Sequence, residues 1–245
     1  MHIANRDSFV GRSLRRFTIA TLFVGGALTA ITAAHGATLE QLCTKDRYDA
    51  AARYSQCHLK TFGKLFGGTE AGKVATLLSK CRLKYGATWT KLQAKWLGTA
   101  TTCDGTRFIV AGGLVFDNLT GLEWEQKTDD GGIHDTDDVY TWGGAGTAAT
   151  VFLRQLNDDC FAGQCDWRLP TLGELQTILL PEPYPCTTNP CIDEAVFGPT
   201  ASNIYWSSTK NGGSAFVWEV NFANGSPGAA PESLPLYVRA VRGGL

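Results

Sequence analysis

The 245-residue sequence predicts an α+β protein: a small disulfide-linked helical hairpin, then a domain of short antiparallel strands and two helices, behind an export signal. Three observations predict it. Apolar residues recur every three or four positions as far as Trp96, then give way after Arg107 to short alternating runs and Gly-bearing turns. Charge changes sign at the same boundary: residues 38–104 carry 11 basic and 5 acidic side chains, residues 105–245 carry 7 and 17. All eight cysteines lie beyond the first 36 residues, and an even number in an exported chain reads as disulfides. With 44% hydrophobic and 11% aromatic residues the chain is too apolar for disorder. Past its first forty residues it has no apolar run long enough to span a membrane.

Residues 1–36 read as an address. Arg6, Arg12, Arg15 and Arg16 make a basic start, and Phe17 to Ala34 is apolar and uncharged. Ala34-His35-Gly36 puts small residues where a signal peptidase needs them, so cleavage is expected after Gly36, with Ala37 as the alternative. An uncleaved membrane anchor is the competing reading; Gly25-Gly26 and several Thr weaken it. Arg15-Arg16 looks like a twin-arginine signal, but the residues that follow fit that motif poorly. No Cys stands at the cleavage site to carry a lipid. The mature chain is expected in the periplasm, secreted or at the cell surface, with no membrane span.

The basic module, 38–104, reads as two helices. In the second, Val74, Leu77, Leu78, Cys81, Tyr85, Trp89, Leu92 and Trp96 share one face. The first is weaker: Leu39, Leu42, Cys43, Ala50, Tyr54 and Cys57. Gly67-Gly68 marks the turn between them, and a short loop makes the helices antiparallel. Cys43 and Cys57 are nearly four turns apart and point the same way. Nested disulfides follow, Cys57 with Cys81 near the turn and Cys43 with Cys103 at the open end. The wide Cys43–Cys103 loop stabilises a small hairpin by roughly 4 kcal/mol in the chain-entropy model. Lysines spread along both helices read as a solvated face, with contact to an anionic surface as the competing reading. There is no nucleic-acid motif.

The acidic module, 105–245, starts with strand, turn and strand over Val115–Trp124. Ala145, Ala148, Ala149, Phe152, Leu153 and Leu156 make a helix, and Thr171-Leu172-Gly173-Glu174 is a capping box opening a second, Leu175 to Leu180. Ile204–Ser208, Ala215–Phe222 and Leu236–Val241 read as strands. Short loops favour local crosslinks, Cys160–Cys165 and Cys186–Cys191; cross-pairing between these two loops is the alternative. Zinc is the weaker use of the cysteines, because the two C-x4-C units and four scattered Cys do not make the paired spacing it wants.

One set of motifs resembles a known family. Asn118-Leu119-Thr120-Gly121-Leu122-Glu123-Trp124, Tyr140-Thr141-Trp142, Asp166-Trp167-Arg168-Leu169-Pro170-Thr171 with Glu174-Leu175, Tyr205-Trp206-Ser207-Ser208-Thr209, and Tyr237-Val238-Arg239-Ala240-Val241-Arg242-Gly243-Gly244 occur in the order of the Lcl C-terminal-type domain. That family takes its name from a Legionella collagen-like adhesin. The resemblance covers 107–245 and implies an exported bacterial domain with a C-type-lectin-like fold, similar to a trimeric binder of sulfated glycosaminoglycans. Many family members carry a Cys between the two Arg of the last motif, with a partner in the first helix. Here those positions are Ala240 and Phe152 or Leu153.

The motif residues read as architecture. Trp124, Trp142, Trp167, Trp206 and Trp218 suit a core better than a sugar platform. Glu174 caps its helix and can meet Arg168, Arg239 or Arg242, since Arg–carboxylate pairs are planar and bidentate. The run 129–138 holds five aspartates and two glycines. Asp135, Asp137 and Asp138 are candidate calcium ligands, although no Glu follows at the EF-hand position. A solvated acidic loop tip is the competing reading, and no other cofactor is expected.

These features favour a non-enzymatic binding module, an adhesin or envelope recognition protein for a glycan or surface partner, with oligomers left open. The first alternative is an enzyme of the sulfatase-activating oxidase type, which needs reactive Cys. The second is a purely structural envelope protein. No Ser-His-Asp order, HExxH or nucleophile elbow occurs, and Glu123 and Glu125 alternate with Trp124 on a strand rather than forming a built carboxylate pair. The glycosaminoglycan ligand transfers badly to residues 105–245, whose only lysines are Lys127 and Lys210. That module is expected to bind heparin weakly or not at all; retention on a heparin column well above physiological salt refutes this.

Overall fold

The computed structural model describes residues 37–99, 101, 105–142, 147–212 and 215–243. The signal segment and its cleavage site lie outside the described residues, as does Cys103.

Helix α1 (Leu39–Phe66) opens on a capping box: the Thr38 hydroxyl accepts from Gln41 N, and the Gln41 side chain accepts from Thr38 N. Gly67 ends it, and Gly68, at φ 88°, takes the left-handed turn into α2 (Ala71–Trp96). The two helices pair, joined by the expected Cys57–Cys81 disulfide. Val74, Leu78, Cys81, Tyr85, Trp89 and Trp96 of α2 are buried as the periodicity predicts, while Leu77 and Leu92 are half-buried. The α1 face differs from expectation. Its buried stripe runs Cys43, Ala50, Tyr54, His58, Phe62 and Leu65, and Leu39 and Leu42 are exposed. Cys43 packs with Trp96, so Leu39 lies one turn past the last packed layer.

The strand-rich part forms two sheets. Strands β1 (Phe108–Ala111), β2 (Leu114–Asp117), β3 (Leu122–Glu125) and β9 (Val241–Gly243) make an antiparallel sheet in the order β1-β2-β3-β9. Strands β4 (Val139–Tyr140), β8 (Leu236–Tyr237), β5 (Ile204–Lys210), β6 (Phe216–Asn221) and β7 (Ser226–Pro231) make the other, antiparallel but for the β5–β8 pair. The expected single strand Leu236–Val241 is therefore two strands in two sheets. The chain crosses between them at Val238, Arg239 and Ala240, all buried.

The first helix of the domain is a π-helical stretch, Ala148–Leu153, running into α3 (Arg154–Asp158). Helix α4 (Leu172–Thr177) carries both bonds of the Thr171/Glu174 capping box. A short α5 (Glu194–Phe197), not foreseen, begins on the Asp193 side chain, which accepts from Ala195 N. Thr171→Ala is expected to lower stability by about 1 kcal/mol in urea unfolding, and an unchanged midpoint would show the cap to be idle. Ala240 and Phe152 meet in one apolar cluster.

The hairpin is not a free arm. Phe62, Leu65, Val74 and Leu78 share a core cluster with Leu172, Leu175, Trp218 and Val220. The Tyr54 hydroxyl donates to Gln176 O at 3.2 Å, and Arg47 donates to Asn118 O. No helix among the described residues is long and apolar enough to cross a membrane.

Candidate functional site

Where the hairpin meets the domain, the end of α1 and the start of α4 leave a groove of about 680 Å3. Leu59, Phe62 and Phe66 wall it on one side, Leu122, Leu172 and Thr209 on the other. The Leu59 and Phe66 side chains are exposed, at 72% and 57%. Phe66 stacks on Phe62 at 6.4 Å and meets Trp218 edge-on at 5.4 Å. His58 also lines the groove; its Nε2 is buried with no partner, and burial pushes its pKa down to about 3, with Arg82 adding to the effect. The groove thus offers an aromatic wall, a neutral imidazole and hydroxyls at its edge.

Elsewhere in the domain lies a buried polar cluster. Glu125 is fully buried; its Oε1 takes Lys127 Nζ at 3.1 Å and His134 Nδ1–H at 2.9 Å, and its Oε2 accepts from Ala240 N at 2.9 Å. Burial opposes the charged form of Glu125, but Lys127, His134 and the Ala240 N–H outweigh it and hold the carboxyl below its usual range. At Lys127 burial dominates and lowers the pKa, with Glu125 opposing it. Gly198, at φ 77°, lies against the Lys127 backbone, where a Cβ would meet Lys127 O at 2.0 Å; only glycine fits.

The expected arginine partners resolve one by one. Arg168 makes the bidentate pair with Glu174, at 2.8 and 2.7 Å. Arg242 instead bridges Asp166 and Glu123, each at 2.6 Å. Arg239 is fully buried and meets no carboxylate; it donates to Glu125 O, Phe197 O and the Thr200 hydroxyl. Of the motif tryptophans, Trp124, Trp167, Trp206 and Trp218 are buried, and Trp142 is half-buried with its Nε1–H on Ser207 O.

The disulfides Cys160–Cys165 and Cys186–Cys191 are present as local pairs. Cys43 is disulfide-bonded, but the expected Cys43–Cys103 bond involves a residue outside the described ones. The acidic loop brings Asp129, Asp135 and Asp137 together, their oxygens within 4.8 Å of one another. Asp138 is not among them; it accepts from the Tyr140 hydroxyl. Both Asp135 oxygens are engaged by backbone N–H groups of Asp137, Gly131 and Asp130, which hold its carboxyl below the usual range. The loop is tied by its own backbone hydrogen bonds to Asp135.

With this geometry in hand, the Lcl C-terminal domain model matches residues 113–242. The chain belongs to the Lcl C-terminal domain family. No curated protein matches it. The Lcl domain accounts for the buried tryptophans, the Arg168–Glu174 pair and Arg239, whereas the hairpin wall of the groove precedes the matched residues. Sequence reading missed His58, Leu59, Phe62 and Phe66 as site residues. The only signal for them was an α1 face richer in aromatics at its end than at its start.

Proposed function

We propose that this chain is an exported, non-enzymatic binding module of the bacterial envelope or surface, recognising a glycan in the groove between hairpin and Lcl domain. The observation that carries the reading is the exposed Phe66 ring on an aromatic wall facing hydroxyl-bearing Thr171 and Thr209. Sugars present an apolar ring face and hydroxyl edges, and such a wall with few polar groups matches both. A C-type-lectin-like fold belongs to this reading; it is supported by a sheet in which β9 from the end of the domain pairs with β3 near its beginning. Extracytoplasmic placement is supported by three disulfides. Against the oxidase alternative, no free thiol remains among the described cysteines.

The test is an array of neutral and acidic glycans probed with the intact chain, with and without calcium. Binding is expected to be independent of calcium and to fall at least about tenfold in Phe66→Ala, the loss of one stacking face and its buried area. Binding that needs calcium, or that ignores Phe66, removes the groove from the reading.

A further inference from the structure

Where α2 meets the domain, the fold leaves one buried charge unanswered. Arg82, on α2, is 2% exposed. Its hydrogen-bond partners are neutral: Gln176 Oε1 at 2.5 Å and Leu180 O at 3.3 Å. Its Nη2 is buried without a partner, and among the described residues no carboxylate acts on the guanidinium. Arg107, by contrast, is matched by a bidentate bond to Asp117 at 3.0 and 2.7 Å. A buried cation without a counter-charge is costly, and native proteins seldom keep one without a use for it.

What Arg82 Nη2 faces is the Cys186–Cys191 disulfide. A Cβ on Gly225 would sit 3.3 Å from Arg82 Nη2, and 3.3 and 3.4 Å from the sulfurs of Cys186 and Cys191, so guanidinium and disulfide flank the same glycine. The two sulfurs differ in access. Cys186 is half-buried and opens an exposed run, 187–189, whereas Cys191 is 0% exposed. The nearby carboxylate of Glu182 is engaged by the N–H groups and hydroxyls of Thr187 and Thr188. The other two described disulfides lack this setting. Cys160–Cys165 has Asp159 and Asp166 as sequence neighbours, which oppose a thiolate. Arg53, Lys60 and Lys84, which line a cavity beside Cys57–Cys81, are exposed, and solvent screens their charge.

We propose that Cys186–Cys191 is an exchangeable disulfide, opened by a dithiol that attacks Cys186, with Arg82 receiving the Cys191 thiolate. In the first step a thiolate of the dithiol bonds to Cys186 Sγ as the Cys186–Cys191 bond breaks, and Cys191 leaves with the electron pair. In the second, the other sulfur of the dithiol attacks its partner in the mixed disulfide and expels Cys186. The protein disulfide is reduced and the dithiol is oxidised to its own disulfide, two electrons passing. Of the two protons of the dithiol, one ends on Cys186 and one in solvent, Cys191 staying ionised. A thiolate leaves a disulfide faster the more stable it is, and an adjacent guanidinium stabilises it. The same cation favours the opened form, because it gains there the anion that it lacks in the closed one. The proposal is independent of the glycan groove.

The test treats the intact, folded chain with increasing dithiothreitol, quenches in acid, then unfolds, alkylates and maps the peptides. Cys186 and Cys191 are expected to be labelled while Cys57–Cys81 and Cys160–Cys165 stay closed. Arg82→Met is expected to slow this opening at least about tenfold, and Arg82→Lys to restore part of the rate. A merely structural role for Arg82 predicts the reverse, since loosening the loop speeds reduction. Should the variants fail to fold, the parent protein carries the test. With this bond alone opened, the thiolate ultraviolet absorbance is expected to show one thiol ionised well below the usual value of about 8.5. Earlier opening of either other disulfide, an Arg82→Met rate equal to or above that of the parent, or no thiol ionising below the usual range overturns the proposal.

Discussion

Glu125→Gln is expected to destabilise the protein by about 3–5 kcal/mol, read from urea unfolding at pH 7. The substitution removes the charge that Lys127 faces at 3.1 Å, and Lys127 is only 3% exposed. An ammonium left buried without its counter-charge costs far more than the pair itself contributed. The double variant Glu125→Leu with Lys127→Met removes both charges and keeps comparable volume, so it is expected to recover a large part of the loss. The pH dependence follows from the lowered Glu125 pKa. Stability from this carboxylate is present above its unfolded value near 4.5 and is lost as pH falls through its lower folded value. A single variant within about 1 kcal/mol of the parent, or a double variant no better than the single, shows that the pair does not hold this core.

Glu219→Gln is expected to act in the opposite sense. Glu219 lies on β6, between Trp206 and Gly228 of the neighbouring strands, 7% exposed, with one carboxyl oxygen unpartnered. Burial alone raises its pKa from 4.5 to about 7. A raised folded value means that the stabilising contribution of the protonated acid is complete below 4.5 and disappears as pH rises through about 7. Above that the folded protein must carry a buried anion, at a cost of roughly 3 kcal/mol by the 1.36 kcal/mol per pKa unit rule. The neutral amide escapes this, so the variant is expected to exceed the parent by about that amount at pH 9 and to match it at pH 4. A stability difference that stays constant from pH 4 to pH 9 rules the mechanism out.

Features set by local spacing were legible in the sequence. The Thr171/Glu174 box, the Cys57–Cys81 bond across a helical turn and the two short Cys loops each depend on residues a few positions apart or on one helical period. The tryptophan cores followed from side-chain size. Strand β7 was not legible, because Ser226–Pro231 contains two Pro, a Gly and two Ala; six paired positions along β6 make it a strand. Helix α5 has too few residues for a period to show. Arg239 could be matched to a motif but not to partners, since its acceptors come from β3 and α5, far along the chain. The groove was illegible for the same reason: burial of Phe62 comes from the domain docked against it, and a helical period records only that a face is apolar.

The shared core between hairpin and domain also sets an order of events. Emergence of the chain, N-terminus first, into an oxidising compartment delivers Phe62, Leu65, Val74 and Leu78 about a hundred residues before Leu172, Leu175 and Trp218, with which they pack. In that interval the Cys57–Cys81 bond can close and hold α1 against α2, because both sulfurs belong to the hairpin. Reducing conditions during this interval are therefore more damaging than the same conditions applied to the finished protein, in which the domain already holds the helices in place.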